Sequence, residues 1–212
     1  RSATSIVVSG NNGLNMATNT AAKVTSFDAS GVAGNNTTED IAANLAVTYA
    51  SGNTTAGANL TLKGGAGNDT LTGNKNADTI TGNAGNDTIT GTNAADTINT
   101  GTGVNTVTGG AGLDSITVAG TIDTIIIGSG DTGTTLATSD QITGFSVADF
   151  LDFTGAAGSA ANYVEVASTA VTAAFANATQ IQALALADAQ LDGTVIYAVV
   201  DNAGTGAGAA VA

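Results

Sequence analysis

Between Gly64 and Ile126 the chain repeats a nine-residue pattern of polar and apolar positions. The units are GGAGNDTLT, GNKNADTIT, GNAGNDTIT, GTNAADTIN, TGTGVNTVT, GGAGLDSIT and VAGTIDTII. The eighth position is always apolar: Leu71, Ile80, Ile89, Ile98, Val107, Ile116 and Ile125. The seventh is always Thr or Ser. A β-branched triplet such as Thr79-Ile80-Thr81 predicts a short strand with one side chain facing inward. The six residues before it must turn the chain sharply, and glycine tolerates the positive φ that such a turn needs. Two units then make one coil with a strand on each side, and coils stack at the strand spacing of about 4.8 Å.

The pattern changes on both flanks. Residues 1–62 lack the nonamer but carry strand-like runs at 5–10, 23–30, 45–51 and 59–64, separated by Asn/Thr/Gly turns. That rhythm predicts a β-helical lead-in sharing one core with the repeats. The repeat region spans 63–133 and ends in an irregular turn, GSGDTG. Residues 134–212 read as a cap. Ile142, Phe145, Phe150, Leu151 and Phe153 predict an apolar plug for the open end of the coil. Strands are expected at 162–168 and 194–201. A helix is expected over 171–190, with Phe175, Ile181, Leu184 and Leu186 on its apolar side. The tail 203–212 reads as disordered or as the end of a truncated piece. The expected fold is all-β, a parallel β-roll or β-helix solenoid, with a C-terminal cap containing a short helix.

Coiling places the sixth position of the repeat in two columns. One edge carries Asp69, Asp87, Asn105 and Asp123, and the other Asp78, Asp96 and Asp114. Carboxylates one coil apart repel unless a cation lies between them. Calcium suits such a place, because it takes six to eight oxygens, backbone carbonyls included, whereas magnesium keeps its waters. Complete pairs are Asp69/Asp87, Asp78/Asp96 and Asp96/Asp114, and calcium is expected to be weaker or absent beside Asn105. Asn76 and Ala94 replace glycine at the fourth position of two units, so looser turns are expected there. Asp140 fits a ligand and a turn acid equally well. Asp149 and Asp152 fit metal ligands too but read more readily as turn acids, and Asp28, Glu39 and Asp40 fit a further calcium site in the lead-in but read more readily as solvated loop acids.

Composition narrows the functions. Seventeen acidic residues stand against four basic ones, for a formal charge of −13. No cationic footprint for nucleic acid exists, and an anionic membrane surface would repel the chain. No apolar run is long enough for a membrane span. His and Cys are absent. A Cys/His zinc site, a zinc-protease site and a Ser-His-Asp triad are thereby excluded within this chain. The start RSATSIVVSG lacks the apolar core of a signal peptide and reads as an internal cut.

The units LKGGAGNDTLTG (62–73) and GNAGNDTITG (82–91) resemble the calcium-binding nonapeptide of RTX proteins. More narrowly, 5–15, 24–32 and 195–204 resemble the C-terminal region of RTX-type surface-layer proteins. The resemblance implies calcium bound by Asp69, Asp78, Asp87, Asp96, Asp114 and Asp123. Oxygens of the turn residues Gly64, Ala66, Gly82, Asn83, Ala84 and Gly85 would complete the shells. It also implies type I secretion and a two-dimensional lattice of identical subunits on a Gram-negative surface. Any contact with cell-surface polysaccharide would lie in segments outside this chain. The expectation is a structural module rather than an enzyme. Alternatives are a calcium-dependent adhesin or the C-terminal secretion domain of an exported enzyme.

Overall fold

A computed structural model describes residues 3–17, 21–34, 43–120, 122–128, 131, 140–145 and 148–152, with the backbone of 181–187 and 195–199. The chain winds into a solenoid whose strands alternate between two parallel sheets. On one side lie β1 (Ser5–Gly10), β3 (Ser26–Val32), β5 (Thr61–Lys63), β7 (Thr79–Thr81), β9 (Thr97–Asn99), β11 (Ser115–Thr117) and β13 (Gln141–Thr143). On the other lie β2 (Leu14–Met16), β4 (Val47–Ala50), β6 (Thr70–Thr72), β8 (Thr88–Asn93), β10 (Thr106–Ala111), β12 (Thr124–Ile126) and β14 (Phe150–Asp152). Each nonapeptide contributes one strand, β6 through β12.

The register explains the core. Ile6, Phe27, Leu62, Ile80, Ile98, Ile116 and Ile142 are successive partners in one sheet. Met16, Tyr49, Leu71, Ile89, Val107 and Ile125 are successive partners in the other. From Phe27 and Tyr49 onward every member is buried. The interior is therefore two facing ladders of single side chains, which is why so few aromatics suffice. Phe27 and Tyr49 stack at 4.1 Å where the lead-in is widest. Both sheets continue from the lead-in into the repeats without a break. Asn53 holds the lead-in loop by donating from Nδ2 to the Val24 carbonyl at 2.9 Å.

The C-terminal expectations change. The segment expected as part of a helix, 181–187, is strand β15 (Ile181–Ala187). It pairs antiparallel with β13 and with β16 (Val195–Val199). The edge of β13 has unpaired backbone groups, and a strand satisfies them where a helix cannot. Of the expected plug, the side chains of Ile142, Phe145 and Phe150 fall within the described residues. Ile142 joins the inner ladder and Phe145 is buried, but Phe150 is 60% exposed. Phe150 pairs with Thr124, and so occupies the outward column held by Thr in earlier coils. Residues 141–143 and 150–152 thus extend the coil. The expected strand at 162–168, the rest of the expected helix, Phe153 and the tail lie outside the described residues. Among the described residues no helix is long and apolar enough to cross a membrane.

Candidate metal centre

The column residues sit where each turn enters a strand, and all are buried. Their first job is structural. Oδ1 of each accepts the backbone N–H of the residue one coil earlier. On the first edge Val47 donates to Asp69 (2.7 Å), Asp69 to Asp87 (2.8 Å), Asp87 to Asn105 (2.8 Å), and Asn105 to Asp123 (2.9 Å). On the second edge Leu60 donates to Asp78 (2.8 Å), Asp78 to Asp96 (2.7 Å), and Asp96 to Asp114 (2.8 Å). These bonds satisfy N–H groups that would otherwise be buried and orphaned.

Both columns run past the repeats. Asp114 donates to Asp140 at 2.9 Å and Asp123 to Asp149 at 2.7 Å, each across 26 residues instead of the 18 of the repeat. Asp140 therefore stands in the second column. Asp149, which read more readily as a turn acid than as a ligand, stands in the first. Its signal was position one residue before a strand, hidden by the longer coil.

The second carboxylate oxygen divides the turns into two kinds. In the first two units Oδ2 accepts an N–H from its own turn, Gly65 to Asp69 and Asn74 to Asp78, both at 2.6 Å. In Asp87, Asp96 and Asp114 the buried Oδ2 has no partner. The backbone accounts for the difference. The second residue of those three units is left-handed: Asn83 at φ 76°, Thr92 at 104° and Gly110 at 95°. That twist turns its N–H away from the carboxylate. The two turns expected to be looser are well tied. Asn76 accepts the Gly57 N–H at 2.8 Å and its own N–H bonds Asn74 Oδ1 at 2.7 Å. In the other, Ala94 adopts φ 71°, and the Thr92 hydroxyl donates to the Asn74 carbonyl.

Of the turn residues expected to give oxygens, Gly64 lies against Asp69 Oδ2 and Gly82 against Asp87 Oδ2. The Gly82 carbonyl lies over the Gly64 Cα, beside Asp69 Oδ2. Asn83 Nδ2 donates to the Gly64 carbonyl at 2.7 Å. Ala84 bridges to Thr102, the Gly85 N–H bonds the Thr102 carbonyl at 3.0 Å, and Ala66 packs against the core.

Burial dominates the electrostatics. It raises Asp87 to about 7 and Asp96 to about 8, in part offset by backbone hydrogen bonds, with neighbouring column carboxylates adding to the rise. Burial likewise raises Asp69 and Asp114 to about 6, and raises Asp78 and Asp123. Asp28 behaves as a surface acid. Hydrogen bonds from Ser30 lower its pKa, and it pairs with Lys63 at 3.6 Å. Glu39 and Asp40 lie outside the described residues.

A buried carboxylate oxygen without a donor calls for a cation or a proton. Among the described residues no three acidic side chains form a metal cluster. Any ion here must therefore draw on backbone carbonyls as well. That donor set of hard oxygens fits calcium.

Residues 61–89 and 90–125 match the family model described as the RTX calcium-binding nonapeptide repeat (4 copies). RTX calcium-binding repeats are thus present in the middle of the chain. Compared with curated proteins and with solved structures, the chain has no significant match.

Proposed function

We propose that the chain is a calcium-binding structural module of a secreted cell-surface protein. Calcium folds it outside the cell, and copies of it then assemble into a two-dimensional layer. The observation that carries the calcium part is the set of buried, unpartnered Oδ2 atoms of Asp87, Asp96 and Asp114 on RTX repeats. Asp87, Asp96 and Asp114, with turn carbonyls, would hold the ions. Calcium supplies positive charge between coils that otherwise stack carboxylate above carboxylate.

Folding follows from linkage. The site does not exist in the unfolded chain, so the free energy of binding becomes free energy of folding. Extracellular calcium modules bind at about 10⁻⁴–10⁻³ M. In a low-calcium cytosol the chain stays unfolded and able to thread an export channel. Outside, the ions fill and the coils close. The lattice part is supported by the resemblance of 5–15, 24–32 and 195–204 to RTX-type surface-layer proteins. The absence of His supports a structural rather than a hydrolytic role for this chain.

Two experiments test the reading. Circular dichroism after EDTA and again after added calcium should show strand signal only with calcium; a fully folded metal-free chain would overturn calcium-driven folding. Electron microscopy of the purified chain in calcium should show ordered two-dimensional arrays. Dispersed single particles would overturn the lattice and favour an adhesin or secretion domain.

A further inference from the structure

Five of the seven nonapeptides begin with glycine, and Thr100 and Val118 are the exceptions. In the glycine units, Oδ2 of the unit's own column Asp lies over the glycine Cα, where a Cβ would collide with it. This holds for Asp69 over Gly64, Asp78 over Gly73, Asp87 over Gly82, Asp96 over Gly91 and Asp114 over Gly109. Thr100 carries that Cβ and is fully buried. Its unit is also the one whose column residue is an amide, Asn105. The Thr100 hydroxyl accepts the Ala119 N–H at 3.2 Å and lies 3.4 Å from two acceptors that share its proton, Asp123 Oδ2 and the Gly101 carbonyl. Asp123 thus has a protein partner for the oxygen that is unpartnered in Asp87, Asp96 and Asp114.

The rest of the turn keeps the open conformation. Gly101 and Gly103 are left-handed at φ 81° and 129°, as their counterparts are in the units with unpartnered carboxylates. Only the first and sixth residues set this unit apart. We propose that Thr100 and Asn105 together make this a metal-free turn, in which a hydroxyl takes the place that calcium holds at other turns. The inference rests on the calcium reading above. A neutral amide offers a cation little, and the Thr100 hydroxyl beside Asp123 Oδ2 fills the place a cation would take. The first column of ions therefore stops below Asn105, while the second continues from Asp96 to Asp114.

The two residues act as a pair. Asn105→Asp alone places a carboxylate against the Thr100 Cβ. Thr100→Gly alone opens the cradle but leaves an amide in it. Only both changes restore the glycine–aspartate cradle of the other units. Val118 keeps the coil above closed, so one new site opens, not two.

Native mass spectrometry in saturating calcium, with circular dichroism to check folding, reads this directly. Thr100→Gly/Asn105→Asp should carry one more ion than the wild type, and each single variant no more than the wild type. Thr100→Val keeps the Cβ and loses the hydroxyl, so its ion count should stay at the wild-type value while its melting temperature falls. An extra ion in Asn105→Asp alone or in Thr100→Val overturns the proposal. So does a double variant that gains none, or fails to fold in calcium, while the wild type binds calcium. A wild type that takes up no calcium overturns the underlying reading instead.

Discussion

Oδ1 of Asn105 accepts the backbone N–H of Asp87 at 2.8 Å, the same bond that Oδ1 of Asp87 accepts from Asp69. An amide oxygen thus does the bridging work of a carboxylate. The negative charge of the column is not needed to hold the coils in register. It is needed only by a cation.

That separation gives a first prediction. Asp96→Asn keeps the oxygen that accepts the Asp78 N–H and removes a buried acid. It should need more calcium than the wild type to fold, yet reach the same strand content at saturation. Asp96→Ala leaves the Asp78 N–H without an acceptor, which costs about 1–3 kcal/mol. Circular dichroism over a calcium titration, with thermal melts at saturating calcium, distinguishes the two.

A second concerns pH. Burial raises Asp69, Asp87, Asp96 and Asp114 to between about 6 and about 8 in the folded chain, from 3.8. The folded state therefore holds protons that the unfolded state has released. Without metal, stability is fully present below pH 3.8 as far as these groups are concerned. It falls as pH rises through the folded values. Calcium must displace those protons, so its affinity rises over the same window. Circular dichroism of the EDTA-treated chain should show more residual strand signal near pH 4 than near pH 8, and calcium titrations the opposite order of affinity.

The fourth unit holds left-handed backbone without glycine, at Thr92 (φ 104°) and Ala94 (φ 71°). A Cβ at such a φ is strained by about 1–2 kcal/mol. Ala94→Gly should stabilise the chain by about 1 kcal/mol, read as a higher urea midpoint in calcium. Gly110→Ala should do the reverse and more, since its Cβ would strike the Thr92 carbonyl.

The end of the coil offers a contrast between two apolar residues. Ile142 is fully buried in the ladder and Phe150 is 60% exposed. Ile142→Ala should cost about 2–5 kcal/mol. Phe150→Ser should stay within about 0.5 kcal/mol of the wild type, as surface changes do. Equal losses in chemical melts would show that Phe150 also packs into the end of the coil.

The nine-residue period carried most of the fold, because a fixed step leaves one register open to each strand. Leu71 through Ile125 and the two acidic columns followed from it. Where the step lengthens, that logic fails. Asp149 is 26 residues from Asp123 and has no glycine-rich turn before it, so it looked like any loop acid. Residues 181–187 mix Ala and Leu with Gln, which suits a helix locally, and only the open backbone of β13 decides for a strand. Phe150 read as core because it is aromatic, but its register puts it in an outward column. Thr100 was invisible for another reason. In a threonine-rich chain it looks ordinary, and its meaning lies in a Cβ that meets a carboxylate position seen only in three dimensions.

The account rests on calcium held by the column carboxylates. Equilibrium dialysis of the chain against calcium, with bound metal counted by atomic emission, tests this most directly beside an Asp87→Asn/Asp96→Asn/Asp114→Asn variant. The account predicts several ions bound by the wild type and a clear loss of ions in the variant. A wild type that retains no calcium, or a variant that retains as much as the wild type, would contradict it.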